Sequence, residues 1–236
     1  MRLMVELLPC VNGSFENVNK HAVQGMIYAQ LKKTVFENYH DSNRFKFFTF
    51  SDLFPVSDFK VGEKKKLIIS SPNNELITVL YETFEKHDKI HIKNMEFNIH
   101  AVNKFRLKPS TRYITGSPIV LYKDNRSNEY FSFERNKDLI FFLERLKENA
   151  LKKYFAYTGR RFDMKENLFD RLIFKKEVVV KDYKAGREFI IIGSVWKLLE
   201  KFYISAEQKR FYEFIMDCGL GEKNSLGFGF VNPIRE

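Results

Sequence analysis

A glycine-rich stretch near the C-terminus is the most informative feature of this chain: Gly219-Leu220-Gly221-Glu222-Lys223-Asn224-Ser225-Leu226-Gly227-Phe228-Gly229-Phe230-Val231. Glycine reaches positive φ without steric cost and lets other groups approach the backbone closely. The pattern predicts a helix over Ala206 to Cys218 that enters the stretch and a short apolar strand that leaves it. Such a loop either presents backbone N–H groups to a phosphate or forms a helix cap and a tight turn without a ligand.

The glycine spacing does not match the common nucleotide-binding motifs. A dinucleotide fingerprint requires a third glycine at fixed spacing within a βαβ unit of about thirty residues. A nucleotide P-loop requires Gly-Lys-Ser/Thr, which the sequence lacks. The segment from Gly227 to Val231 does resemble the RNP1 strand of an RNA-recognition motif. Because RNP1 lies on an internal strand and only five residues follow Val231, we expect this match to be coincidental.

The net charge of the chain favours a polyanionic partner. The 236 residues include 40 Lys plus Arg against 30 Asp plus Glu, which gives a net charge of +10 and a pI near 9.4. Many nucleic-acid-binding domains have a pI above ~9. Each basic cluster taken alone is typical of a solvated face, so the charge indicates a partner class and not a site. The clusters are Lys64 to Lys66, Lys104 to Arg112, Lys152 to Arg161 and Arg171 to Lys176.

The composition also restricts the cellular setting and the chemistry. Cys10 and Cys218 are too few for a disulfide framework, which favours a reducing cytoplasm. No apolar run approaches the ~20 residues of a membrane helix, and the N-terminus lacks a leader cleavage site. No group of His and Cys residues has the spacing of a zinc site. We therefore expect a cytoplasmic protein with no metal, no other cofactor and no membrane partner.

The hydrophobic periodicity predicts the same order of elements in both halves of the chain. The first half has strands over Leu3 to Leu8, Phe45 to Phe50, Lys66 to Ser70 and Ile90 to Asn103, with helices over Val18 to Phe36 and Asn74 to Lys86. The second half has an extended region from Tyr113 to Phe133, a helix over Asn136 to Tyr154, strands near Leu172 to Val180 and Glu188 to Phe202, the helix from Ala206 and a terminal strand. This order predicts an α+β protein of two tandem ferredoxin-like (RRM-like) βαββαβ domains. The basic stretch from Lys104 to Arg112 is the expected junction, with domains over residues 1–107 and 108–236.

With these features the chain resembles the CRISPR repeat-processing endoribonucleases, the sixth Cas family of the repeat-associated RNA-binding superfamily. The stretch from Gly219 to Gly229 matches the glycine-rich signature of that family. A second match lies in residues 25 to 51, where Gly25-Met26-Ile27-Tyr28 opens a helix, His40 closes the segment and Lys46-Phe47-Phe48-Thr49-Phe50-Ser51 begins a strand. The remainder agrees in architecture only.

The resemblance implies a metal-independent endoribonuclease that cuts CRISPR precursor RNA within each repeat to give guide RNAs. Attack by a 2′-OH would leave a 2′,3′-cyclic phosphate and a 5′-hydroxyl. Tyr28, His40 and Lys46 in the N-terminal domain would form the catalytic set. An imidazole such as that of His40 suits proton transfer near neutral pH, and Lys46 would offset the negative charge of the phosphorane. Whether Tyr28 or His40 is the base stays open.

The resemblance also implies that the glycine-rich loop binds the repeat RNA. The residues concerned are Gly219, Gly221, Lys223, Asn224, Ser225, Gly227 and Gly229. The expected partners are CRISPR repeat RNA and, as a further candidate, a CRISPR interference complex, with the protein either a monomer or a homodimer. The alternative function is a non-cleaving repeat-RNA-binding subunit of such a complex. The Tyr, His and Lys at the matched positions favour the enzyme.

The spacing between Tyr28 and His40 sets a geometric condition on this hypothesis. In one straight helix the two residues would be about 18 Å apart at ~1.5 Å per residue, too far to act on one phosphate. The helix must therefore end before His40. Residues between them and just beyond favour such a break through local side-chain hydrogen bonds, namely Asn38, Asp41, Ser42 and Asn43.

Overall fold

A computed structural model gives the structure of the protein and describes residues 1–41, 45–124, 126–127, 129–184 and 187–234. Ser42 and Asn43, which the sequence assigns to the helix break, lie outside the described residues. The chain divides into two compact units. The first comprises Met1–Leu107 with Ser225–Gly227, and the second comprises Lys108–Asn224 with Phe228–Glu236.

The first unit is a five-stranded antiparallel sheet with two helices. Its strands are β1 (Arg2–Pro9), β2 (Thr49–Phe50), β3 (Lys65–Ser70), β4 (Lys89–Ile92) and β5 (Met95–Phe105), and its helices are α1 (Lys20–Gln30) and α2 (Asn74–Glu85). The strand order is β2-β3-β1-β5-β4. Alternate residues of β1, namely Leu3, Val5 and Leu7, are fully buried and share one core cluster with the apolar faces of both helices.

Helix α1 is shorter than the sequence predicts. Its start is capped by Asn19, whose side chain accepts a hydrogen bond from the N–H of Ala22. It ends at Gln30, so the predicted extension to Phe36 was wrong. The chain reverses at Lys33, where φ is 59°, and the Thr34 hydroxyl donates back to the carbonyl of Leu31. Local side-chain bonding of this kind competes with the helix. The expected break before His40 is confirmed.

Two predicted strands of this unit also differ from the structure. The segment from Ile90 to Asn103 is a hairpin of β4 and β5, since the chain turns at Lys93 with φ of 55°. The predicted strand from Phe45 pairs only at β2. Before β2, the N–H of Phe47 donates to the Tyr39 hydroxyl at 2.9 Å and its carbonyl accepts from Ser71 Oγ. These side-chain bonds take the place of sheet pairing.

The second unit is a four-stranded antiparallel sheet of order β11-β6-β10-β9. Its elements are β6 (Arg112–Thr115), β7 (Tyr122–Asp124), β8 (Glu129–Tyr130), α3 (Phe133–Asn136), α4 (Leu139–Thr158), β9 (Arg171–Lys184), β10 (Arg187–Glu200), α5 (Lys209–Cys218) and β11 (Val231–Pro233). Helix α4 begins and ends later than predicted because Asp138 caps its start and Gly159, with φ of 69°, ends it. Helix α5 likewise begins later than the predicted Ala206.

Each sheet has the ferredoxin-like strand order, in which the first strand lies between the third and the last. In the first unit β3 and β5 flank β1, and in the second β10 and β11 flank β6. The prediction of an α+β protein with tandem ferredoxin-like folds is confirmed. Within the described ranges, no helix is both long and apolar enough to cross a lipid bilayer.

Candidate active site

Tyr28 and His40 come together on one side of the first unit. Tyr28 lies in the last turn of α1, and the chain returns to it through a 3-10 turn, Glu37–Tyr39. The ring centroids of Tyr28 and His40 are 4.8 Å apart, with the ring planes 87° apart. Nδ1 of His40 lies 2.7 Å from Oδ1 of Asp41. A carboxylate at Nδ1 favours the tautomer with hydrogen on that nitrogen and makes Nε2 the proton acceptor.

Tyr28 lies in a partly buried environment that changes its acidity. Burial raises the pKa of Tyr28 to about 12, and the Ser225 side chain opposes this shift. The Phe48 ring packs edge-on against the Tyr28 ring, with 5.8 Å between the centroids. Because the phenol keeps its proton near neutral pH, Tyr28 is suited to donate a hydrogen bond or a proton and is a poor base.

Lys46 lies near this pair, beside the ring of Tyr39. Its Nζ is 5.6 Å from the ring centroid of Tyr39, the residue that precedes His40. Partial burial lowers the pKa of Lys46, and the Asp41 carboxylate opposes this shift. The structure therefore brings Tyr28 and His40 into ring contact and places Lys46 against Tyr39.

A cleft of about 420 Å³ opens beside the two rings. This volume lies within the usual range of ligand sites, roughly 300 to 1,000 Å³. The cleft wall carries charges of both signs. Its lining residues are Gly25, Tyr28, Ala29, Lys32, Glu37, Asn38, His40 and Asp41. Among the described residues, no three His, Cys, Asp or Glu side chains are grouped as a metal site would require.

One face of α1 holds the middle of the glycine-rich stretch, which clusters with the first unit. Nζ of Lys20 donates to the carbonyl oxygen of Gly227 at 2.9 Å. One helical turn later, Nε2 of Gln24 donates to the carbonyl oxygen of Ser225 at 2.8 Å. Tyr28 follows after one more turn of the same helix. Residues four apart lie on the same helix face, so these three side chains form a row along α1.

The first part of the glycine-rich stretch is tied to α4 by a buried lysine. Nζ of Lys153, which is 3% exposed, donates to the carbonyl oxygens of Gly219 at 2.7 Å and Gly221 at 2.9 Å. It also donates to Oδ1 of Asn224 at 2.7 Å. Nδ2 of Asn224 donates in turn to two further backbone carbonyls of the stretch, both at 3.0 Å. Burial lowers the pKa of Lys153, and its three acceptors offset part of the desolvation.

The later glycines are required by the fold itself. A Cβ on Gly227 would overlap the Phe50 ring, and one on Gly229 would overlap the carbonyl oxygen of Leu220. Both glycines have positive φ, 80° and 69° respectively. The N–H of Gly229 donates to the carbonyl of Pro118 at 2.8 Å. The structure thus gives these glycines a role in folding, and their contact with RNA stays a prediction.

Lys223 is held beside two stacked tyrosine rings. The centroids of Tyr122 and Tyr130, which lie on the β7–β8 hairpin, are 4.9 Å apart with the planes 19° apart. Nζ of Lys223 is 5.7 Å from each centroid. The backbone of Lys223 has a φ of 57°, an uncommon conformation for a residue with a side chain. An ammonium group and two aromatic rings therefore share one site in the second unit.

The sequence analysis did not identify Lys153, Gln24 or Asp41 as parts of these sites. Lys153 continues the buried face of α4 at helical spacing, and a lysine within an apolar stripe was a detectable signal. Asp41 was named only as a helix-breaking residue. No local pattern connects Gln24 with a residue 201 positions away.

Comparisons with known proteins agree on one family. The family model described as "CRISPR associated protein Cas6, C-terminal" matches residues 101–233. The protein called "CRISPR-associated endoribonuclease Cas6 2" from Methanocaldococcus jannaschii is 48% identical over 241 aligned positions, which cover 100% of each chain. A solved structure described as "CRISPR associated protein Cas6" has a TM-score of 0.74 at 25% identity and covers 100% of this chain and 99% of its own. Another, "An RAMP protein binding different RNA substrates", has a TM-score of 0.76 at 22% identity over 100% of both chains and supports the fold.

Proposed function

Because this chain belongs to the Cas6 family of CRISPR-associated endoribonucleases, we propose that it cleaves CRISPR precursor RNA within the repeat. The observation that carries the proposal is the contact between Tyr28 and His40 on the wall of a cleft. One side chain that can accept a proton and one that can donate a proton are then close enough to act on the same phosphodiester.

The proposed reaction uses the nucleophile that RNA itself carries. The 2′-oxygen attacks the adjacent phosphorus, and the bond between phosphorus and the 5′-oxygen breaks. One product ends in a 2′,3′-cyclic phosphate and the other begins with a 5′-hydroxyl. A proton leaves the 2′-OH and another is delivered to the 5′-oxygen. The enzyme must therefore supply a proton acceptor, a proton donor and a positive charge near the phosphate, without a metal ion.

We assign proton acceptance to His40 and proton donation to Tyr28. The raised pKa of Tyr28, about 12, keeps its phenol protonated before the reaction. The Asp41 carboxylate at Nδ1 of His40 makes Nε2 the atom that takes the 2′-OH proton. After cleavage, the imidazolium returns a proton to the phenolate through solvent, which restores both groups. The ammonium of Lys46 attracts the negative charge of the phosphorane.

We further propose that Lys223 and the adjoining loop contact the repeat RNA. The ammonium of Lys223 beside Tyr122 and Tyr130 combines the charge and the aromatic surface that single-stranded nucleic acids bind. The net charge of +10 supports attraction of RNA from a distance. A CRISPR interference complex is the further candidate partner.

Incubation of the purified protein with repeat RNA in EDTA tests this function. We expect cleavage to persist in the chelator, with a 2′,3′-cyclic phosphate on one product and a 5′-hydroxyl on the other. A matched RNA with 2′-deoxyribose immediately 5′ of the cut should bind with similar affinity and remain intact. Strict dependence on Mg²⁺, or cleavage of the deoxy substrate, would contradict the mechanism. Tight binding without cleavage of either RNA would support the alternative, a non-cleaving repeat-binding subunit.

A further inference from the structure

We propose that Asn149 is a positioning residue for RNA binding: it holds the Glu222 carboxylate at α4 and so leaves the neighbouring ammonium of Lys223 free for a phosphate. Nδ2 of Asn149 donates to Oε1 of Glu222 at 2.8 Å. A carboxylate accepts and does not donate, which fixes the orientation of the Asn149 amide. The inference rests on the proposed function, in which Lys223 contacts the repeat RNA. Asn149 and Glu222 need not touch the RNA for this task.

Lys223 lies between two residues that α4 holds by their side chains. On one side Asn149 binds the Glu222 carboxylate, and on the other Nζ of Lys153 donates to Oδ1 of Asn224 at 2.7 Å. Asn149 and Lys153 are four residues apart and therefore lie on the same face of the helix. Both neighbours of Lys223 are thus fixed to one helix, while the Lys223 ammonium lies beside the two stacked tyrosine rings.

The direction in which Glu222 is held decides the net charge beside these rings. Adjacent Cα atoms are about 3.8 Å apart, a gap that glutamate and lysine side chains can bridge. A freed Glu222 carboxylate would therefore be drawn to the Lys223 ammonium and would cancel the charge that attracts a phosphate. In the part of the chain that the structure describes, no carboxylate is paired with Lys223, whose Nζ lies 5.7 Å from the ring centroids of both Tyr122 and Tyr130.

The environment of Asn149 favours a role in function over a role in stability. Asn149 is 8% exposed, and its Oδ1 is buried with no hydrogen-bond partner among the described residues. A buried polar atom without a partner destabilises a fold. Leucine is similar in size to asparagine, would avoid this cost and favours helix more strongly. We therefore attribute the asparagine at this position to its hydrogen bond with Glu222.

The first test is Asn149→Leu, which removes the donor and nearly keeps the size of the side chain. Affinity is measured with the uncleavable 2′-deoxy RNA over a range of salt concentrations, and Trp196 fluorescence checks folding. We expect RNA binding to weaken about fivefold at about 0.1 M salt, and the slope of log affinity against log salt to fall by about 0.7, the increment for one contact with a single strand. The urea denaturation midpoint should not fall. Parental affinity and slope in the folded variant would overturn the proposal.

The second test adds Glu222→Gln to Asn149→Leu. The matched control adds Glu148→Gln, which makes the same change in net charge at an exposed position of α4. If Asn149 acts through Glu222, Glu222→Gln should restore the parental slope and Glu148→Gln should not. Equal slopes for the two double variants would refute the positioning role.

The two glutamate variants in the parent background decide the question even if Asn149→Leu does not fold. A carboxylate held by Asn149 does not mask Lys223, so both variants should keep the parental slope. A slope steeper by about 0.7 in Glu222→Gln alone would show that Glu222 already neutralises Lys223 and would overturn the proposal. If Lys223→Ala lowers the slope and folded Asn149→Leu does not, only this inference fails. If Lys223→Ala keeps the parental slope, the proposed contact of Lys223 with RNA fails with it.

Discussion

His40 is an exposed side chain whose neighbours are the Tyr28 ring and the Asp41 carboxylate. Its removal should therefore affect chemistry more than folding. We expect His40→Ala to lower the single-turnover cleavage rate by at least about 10², with RNA affinity within a few fold. Circular dichroism melting should stay close to that of the parent protein. Parallel losses of rate and affinity would make His40 a binding or folding residue.

The pKa of Tyr28 is too high for its titration to affect the pH dependence of cleavage near neutral pH. Burial raises its pKa to about 12, so the phenol keeps its proton from acid up to that region. Between about pH 6 and pH 9 the protonation of Tyr28 does not change. The rate profiles of the parent and Tyr28→Phe should therefore be parallel over this range and differ by a constant factor. Disappearance of one limb of the profile in Tyr28→Phe would contradict this assignment.

At the scale of single residues, the sequence could predict features that depend on neighbouring residues and missed contacts between residues that are far apart along the chain. Tyr28 and His40 were paired through the resemblance to a known family, and the residues near His40 indicated that the helix ends before it. The role of Lys153 depends on carbonyls of Gly219 and Gly221 that lie far away along the chain. A pattern of side chains does not reveal which backbone carbonyls will be buried without a partner.

Helix α4 and the start of the glycine-rich stretch are joined through Lys153, so this residue should matter for stability. Lys153→Met would leave two carbonyls and the Asn224 amide oxygen without their donor. We expect a loss of at least about 2 kcal/mol in the free energy of unfolding. The buried Trp196, the single tryptophan, reports on this unit by fluorescence during urea denaturation.

The neighbouring Lys152→Met supplies the matched control for this experiment, since Lys152 lies on the exposed face of the same helix. Its effect should stay within about 0.5 kcal/mol. Equal denaturation midpoints for the two variants would show that Lys153 is not needed to hold the stretch.

The glycines of the two units should respond differently to a methyl group. Gly229→Ala forces a Cβ into the carbonyl of Leu220 at a φ of 69° and should prevent stable folding of the second unit. Gly25 on α1 has nothing within 4 Å of a built Cβ. Gly25→Ala should therefore raise stability by about 0.5 to 1 kcal/mol, because alanine favours helix. Soluble yield and thermal melting distinguish the two outcomes, and a normal melt for Gly229→Ala would contradict the tight packing.

At the scale of elements, the sequence predicted the order of helices and strands better than their ends. Apolar periodicity located β1 and α2 because each buries a regular face. The end of α1 was missed because Thr34 bonds to the backbone in place of continuing the helix. The β4–β5 turn was missed because Lys93, a residue with a side chain, adopts a positive φ.

For the whole molecule, the net charge of +10 should make RNA binding sensitive to salt. If Lys223 contacts a phosphate, Lys223→Ala should reduce the slope of log affinity against log salt by about 0.7, the increment for one contact with a single strand. Lys93→Ala is the matched control, since Lys93 is an exposed lysine with a similar φ of 55° in the first unit. Identical slopes for both variants would mean that Lys223 contributes only to the overall charge.

The row of α1 side chains that holds Ser225 and Gly227 has a consequence for how the protein is made. Lys20 and Gly227 are 207 positions apart, and translation proceeds from the N-terminus. A nascent chain therefore carries the whole of α1 long before the residues that Lys20 and Gln24 bind are synthesised. The contacts of this helix face are thereby postponed until almost the whole chain has emerged, so the first unit is completed only after most of the second unit has been translated.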